Sequence, residues 1–129
     1  MNKQCKSKNK QSRPRGNQEI FNYVVTFLRK QGRKSKGDNG DCVYLSDTGD
    51  KCAAGCLIPP EDYDPRIESH TIYGGQYTSP LFEKLFNEAE LRLIKELQII
   101  HDEFQPRSWE FRWRKLAIDS NLIYSPPKV

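Results

Sequence analysis

Five apolar side chains, Ile20, Phe21, Val24, Val25 and Leu28, recur at the spacing of one helical face between Gln18 and about Gln31. An apolar stripe on one side of a helix must be covered by another element, so this run commits the chain to a layered helical packing. Asn17 is placed to cap the start, Arg29 and Lys30 suit the negative C-terminal end, and Gly32 is a left-handed stop. A second run, from Glu88 to about Phe104, carries Ala89, Leu93, Ile94, Leu97 and Ile100. Asn87 with Glu90 forms a capping-box pair at its start, and Pro106 ends it. Ser79-Pro80 opens a short helix with Leu81, Phe82, Leu85 and Phe86 on its apolar side. Ser108 caps a last helix from Trp109 to about Ser120, with Trp109, Trp113, Leu116 and Ala117 on one face. Asn121 can terminate it, and Leu122-Ile123 can fold back onto the core.

The segments between these helices read differently. Residues 33–41 form a polar loop. Cys42–Ser46 and Lys51–Ala53 alternate like two short strands around the turn Asp47-Thr48-Gly49-Asp50. Ala53–Ile58 is a buried helical turn halted by Pro59-Pro60. Residues 61–68 form two short Pro-started turns, and residues 69–78, with Gly74-Gly75, are expected to form a mobile loop. No internal repeat is evident. The expected fold is mainly α (α+β): four to five helices packed around a small β-hairpin, as a single domain over 17–124 with a flexible end at 125–129.

Charge is unevenly spread over the 129 residues. Residues 1–16 hold six basic side chains and no acid, whereas residues 17–129 hold 15 basic and 17 acidic ones. The net charge of +4 therefore belongs to the tail, which is expected to be disordered when free and able to touch nucleic-acid phosphates. No apolar run approaches the roughly 18–20 residues of a membrane-spanning helix. No leader segment opens the sequence, so a cytoplasmic protein with no membrane partner is expected.

Cys5 lies in the tail and carries no expected role. Cys42, Cys52 and Cys56 are an odd set, which argues against a disulfide framework. Three readings are open. The thiols can be buried as small apolar groups, Cys56 lying in the most apolar stretch of the chain. Cys42, Cys52 and Cys56 with His101 can form a Cys3His zinc site, although the spacing lacks a tight knuckle. Otherwise no cofactor is expected. Cys52, at the start of a helical turn, can also be a nucleophile of lowered pKa with His101 as base. A two-residue hairpin turn would place Leu45 opposite Cys52 and point Cys42 to the other face.

Of the two histidines, His101 continues the line 90-94-97-101 at the core edge, and His70 sits in a loop and is expected to be exposed. The acids Glu61, Asp62, Asp64 and Glu68 read as helix-start capping. Arg107, Arg112, Arg114 and Lys115 interleave with Trp109, Phe111 and Trp113, an arrangement that can bind nucleic acid or a phosphorylated molecule. Helical spacing instead makes the tryptophans a core stripe and the basic residues a solvated face.

Several strings are specific enough to compare. They are Phe27-Leu28-Arg29-Lys30-Gln31-Gly32, Cys42-Val43-Tyr44, Lys51-Cys52-Ala53-Ala54-Gly55-Cys56-Leu57-Ile58-Pro59, Tyr63-Asp64-Pro65, Leu97-Gln98-Ile99-Ile100-His101-Asp102 and Trp109. Over most of residues 18–122 the chain resembles a small protein family found widely in tailed bacteriophage genomes and in some bacterial genomes. It departs at Thr48-Gly49-Asp50, where Asp-Gly-Leu is usual, and at Asn121-Leu122, where Gly-Leu is usual. The resemblance implies an origin and a fold rather than a chemistry. It points to a phage-encoded accessory protein in the cytoplasm of the bacterial host. The main expectation is thus a non-enzymatic protein that binds a host protein or small host molecule and uses its Cys motif structurally. A Cys52–His101 enzyme and a nucleic-acid binder led by the basic tail are the alternatives.

Overall fold

The computed structural model describes residues 13–70, 72 and 80–128. Most of the basic tail, Cys5, most of the 69–78 loop, the capping Ser79 and the last residue lie outside the described residues. Four α-helices are present among those described: α1 (Asn17–Gln31), α2 (Pro80–Leu85), α3 (Glu88–Glu103) and α4 (Pro106–Asp119). Helix α3 is central and packs against α1, α2 and α4. The core joins Ile20, Phe21, Val24, Val25 and Leu28 of α1 to Leu93, Ile94, Leu97 and Ile100 of α3 and to Trp109, Trp113 and Ala117 of α4.

The caps decide the ends. Gly16, not Asn17, is the N-cap of α1, and its own N–H donates to Glu90 Oε2 at 2.7 Å. Glu90 also accepts from the Asn87 N–H at 2.9 Å, while Asn87 Oδ1 accepts from the Glu90 N–H at 2.8 Å. One buried carboxylate therefore closes the start of α3 and tethers the start of α1. Gly32 ends α1 in the left-handed region at φ 72°, its N–H returning to Leu28 O. Helix α4 begins two residues before Ser108, at Pro106, whose ring presets the first helical position. Asn121 takes φ 58° and the Leu122 N–H closes on Ala117 O at 2.7 Å. The chain is packed earlier than the tail reading allows. Pro14 is buried, and Arg13 donates to Leu85 O and lies over the Phe86 ring.

The expected β-hairpin is not formed, so the fold is helical rather than α+β. Among the described residues there are only two isolated antiparallel bridges, Lys36↔Cys42 and Leu45↔Lys51. The reason is in the hydrogen bonds. The Cys52 N–H reaches Tyr44 O at 3.4 Å, but the reciprocal bond that would extend a ladder is lost on both sides. The Tyr44 N–H donates instead to Glu68 Oε1 at 2.9 Å, and the Leu45 N–H to Glu68 Oε2 at 3.1 Å. The Cys52 carbonyl accepts from the Cys56 N–H at 2.9 Å, turning the chain into the 3-10 turn Gly55–Leu57. Leu45 consequently pairs with Lys51, not with Cys52.

The two bridged loops are copies of one another. Gly37-Asp38-Asn39-Gly40-Asp41 and, nine positions on, Ser46-Asp47-Thr48-Gly49-Asp50 close with equal bonds. Gly37 N–H to Asp41 O and Ser46 N–H to Asp50 O are both 2.8 Å, and Gly40 and Gly49 have φ of 86° and 90°. This is a local repeat that the sequence reading overlooked.

Candidate functional site

The polar residues of the Leu97–Asp102 string lie on the buried side of α3 and meet the two loops. Gln98 Oε1 accepts from the Ala54 N–H at 2.8 Å, and its Nε2 donates to Asp102 Oδ1 at 2.8 Å. His101 has no exposed surface. Its Nε2 accepts from the Ser35 N–H at 3.1 Å, so the proton of the neutral ring sits on Nδ1, which donates to Asp102 Oδ1 at 2.8 Å. The His101 ring also stacks on Trp109, 5.7 Å between centroids. Asp102 is the hub, accepting from His101, from Gln98 and from the Cys42 thiol. Desolvation, and after it the neighbouring Asp102 carboxylate, pushes the Cys42 thiol up to about 11.

Cys52 is buried, and burial pushes its thiol up to about 12, against the lowering by the Gly55 N–H that reaches its Sγ at 3.2 Å. The expected activation by a helix N-terminus is thus outweighed by desolvation. Cys56 is also buried; desolvation raises it well above the ordinary thiol range, and its Sγ donates to Ala53 O. His101 cannot serve as a base while both ring nitrogens are bonded as they are.

Of the expected zinc set Cys42, Cys52, Cys56 and His101, the structure brings together only Cys42 and His101, with Asp102 as their third neighbour. One ligating atom from each lies within 4.8 Å of the others. Cys42 and Cys52 do line one cavity of about 140 Å3, with Tyr44, His70, Gln98 and Asp102 around it. The opposite-face expectation for Cys42 fails because no two-residue turn sets the parity. Cys56 lines a different hollow, beside Tyr23 and Pro59.

The remaining strings are architectural. A Cβ on Gly55 would stand 2.1 Å from Tyr44 O, so only glycine lets the 3-10 turn lie against that backbone. Asp64 caps the turn Pro65–Ser69 through the Arg66 N–H. Glu68, read as a helix-start acid, instead holds the Tyr44 and Leu45 amides and accepts from the Tyr63 hydroxyl at 2.8 Å. His70, expected to be exposed, is half-buried, and its Nδ1 is buried without a hydrogen-bond partner.

The basic residues of α4 divide between one packed side chain and three exposed ones. Arg112 lies over Phe104, 3.9 Å from the ring centroid, and Trp109 and Trp113 are buried. Arg107, Arg114 and Lys115 are exposed. Phe111 is the one aromatic of that helix left open, at 60% exposure.

Fold and site together describe a small helical protein in which Cys42, Gln98 and His101 converge on one half-buried carboxylate, Asp102. Comparison with protein-family models, with curated proteins and with solved structures gives no match. No helix among the described residues is long and apolar enough to cross a membrane.

Proposed function

We propose that this chain is a non-enzymatic binding protein, a phage-encoded accessory factor that engages a host protein or small host molecule in the bacterial cytoplasm. The observation that carries the reading is the internal satisfaction of the motif residues. Cys52, Cys56, Gln98 and His101 bond to neighbouring backbone and to Asp102, and neither Cys52 nor Cys56 is paired with His101. Such a motif holds loops to a helix and leaves the surface to do the binding.

Two hollows that share Pro14 and Tyr23 offer that surface. One, of about 450 Å3, runs from Arg13 to the Pro59-Pro60 turn. The other, of about 520 Å3, follows the outer side of α1 past Thr26, Phe27 and Lys30. Both fall in the range of small-molecule and side-chain pockets. Tyr23, 43% exposed, stands between them and offers a flat apolar ring with a hydroxyl.

The test has two arms. In native alkylation near neutral pH, Cys52 and Cys56 should label only after denaturation. In parallel, host extract is passed over immobilised wild type and Tyr23→Asp, and a ligand retained by the first should be lost by the second at unchanged thermal stability. Rapid labelling of Cys52 in the folded protein, together with turnover of a host metabolite that Cys52→Ser abolishes, would overturn the reading.

A further inference from the structure

Helix α4 has two apolar lines, and the core uses one of them. Trp109, Trp113 and Ala117 are buried against α1 and α3. Phe111 and Ile118 stand outward, 60% and 72% exposed. Seven positions apart, they lie one above the other on the helix, about 10 Å from each other along its axis. Arg107, Arg114 and Lys115 are exposed as well. At about 100° per residue all three fall within roughly 60° of Phe111, Arg107 and Arg114 to one side and Lys115 to the other. The acids at the edges of this face are engaged within the chain. Glu110 is held by Arg29 and Tyr124, and Asp119 lies 3.9 Å from Lys115. The outer face of α4 is therefore a short apolar seam between basic flanks.

We propose that this face docks an amphipathic helix of another protein, one with apolar side chains at heptad spacing and acidic side chains flanking them. An apolar line of period seven between charged flanks is how one helix seats on another: the seam supplies burial and the flanks choose the partner. The sign of the flanks is selective. A second copy of α4 would bring basic side chains together across the seam, whereas glutamates and aspartates complement Arg107, Arg114 and Lys115. A lipid surface fits less well, because the wide apolar side of α4 is committed to the core and two outward side chains make a narrow anchor. A nucleic acid also fits less well. Ile118 has no ring to stack on a base, and residues 17–129 carry 15 basic against 17 acidic side chains. The inference concerns a surface other than the Tyr23 hollows and does not depend on them.

The experiment titrates the full chain into two fluorescent synthetic helices of about three heptads, each cross-linked to stay helical, and reads anisotropy. Both carry leucine at the seam positions; one has glutamate flanks and the other lysine flanks. The glutamate helix should bind one per chain, more weakly as salt rises, and the lysine helix should not bind. Phe111→Ser and Ile118→Ser should each weaken the glutamate helix by about tenfold or more. The triple variant Arg107→Glu, Arg114→Glu, Lys115→Glu should lose the glutamate helix and take the lysine helix instead. Tyr23→Asp, on the far hollows, should leave both titrations unchanged. Circular dichroism and a thermal melt check that each variant is folded, which its exposed position favours. Failure of the wild type to bind the glutamate helix overturns the proposal, as does binding that survives Phe111→Ser or is lost in Tyr23→Asp. Tighter retention of an oligo-dT strand or of anionic vesicles, abolished by the same triple variant, overturns it in favour of those ligands. A concentration-dependent dimer in sedimentation that Phe111→Ser dissociates overturns it in favour of a second copy.

Discussion

At the scale of single residues, the positions that matter most are those whose neighbours cannot move. Gly55 is one. An added methyl would collide with the Tyr44 carbonyl, which is backbone and cannot swing aside. Gly55→Ala should cost about 1–3 kcal/mol or more, the usual range for overpacking, read from the shift of the urea midpoint. His101 is another. Replacing it by Leu keeps much of the volume but leaves the Ser35 N–H buried without an acceptor and removes one of the donors to Asp102. His101→Leu should cost about 1–3 kcal/mol and speed hydrogen exchange at Ser35. An exchange rate unchanged at Ser35 would show that the ring nitrogen does not hold that amide.

At the scale of elements, a few side chains each join two segments. Glu90 closes the capping box of α3 and receives the Gly16 N–H that begins α1. An ordinary cap is worth about 1 kcal/mol. Glu90→Ala should exceed that, at about 2 kcal/mol by denaturant unfolding, because two helix starts lose a partner. Glu68 is the corresponding link for the loops. Its loss should raise hydrogen exchange at Tyr44 and Leu45 while leaving α1 and α4 protected. Equal acceleration across all elements would mean that the loops open only with the whole fold. The helices were legible because their apolar stripes, caps and prolines are local signals. The absence of a hairpin was not legible. Cys42–Ala53 alternates as strands do, and the competitor for its amides, Glu68, lies more than a dozen residues further along the chain.

At the scale of the whole molecule, α1, α3 and α4 enclose the core, and bidentate Arg29–Glu110 contacts of 2.7 and 2.8 Å join α1 to α4 over Trp113. Three thiols on or beside this core are held protonated, Cys42 at about 11, Cys52 at about 12 and Cys56 raised, in each case chiefly by desolvation. An unfolded thiol ionises near about 8.5. The unfolded chain therefore releases these protons first as pH rises. The stabilisation is complete below about pH 8.5 and is lost progressively as pH climbs through about 11–12. The urea midpoint should thus fall steadily from pH 8 to 10.5, and less so in Cys52→Ala when each variant is compared with its own value at pH 8. A midpoint that stays level over that range would show that the thiols ionise equally well in the folded protein.

The amino-acid sequence by itself determined where the helices run, because stripe, cap and stop are each written within one or two turns. It also singled out Cys42, Cys52, Cys56 and His101 as the residues with chemistry to explain. It could not say which of them meet, since Cys42 and Asp102 come together only when α3 docks on the loops. Nor could it assign His101 its proton, which follows from a backbone amide 66 residues away. Tertiary structure alone placed Asp102 at the centre, turned Glu68 from a cap into a clasp and put His70 on the cavity wall. Periodicity reports which side of an element is buried, whereas the pairing of polar groups depends on what the fold brings to that side.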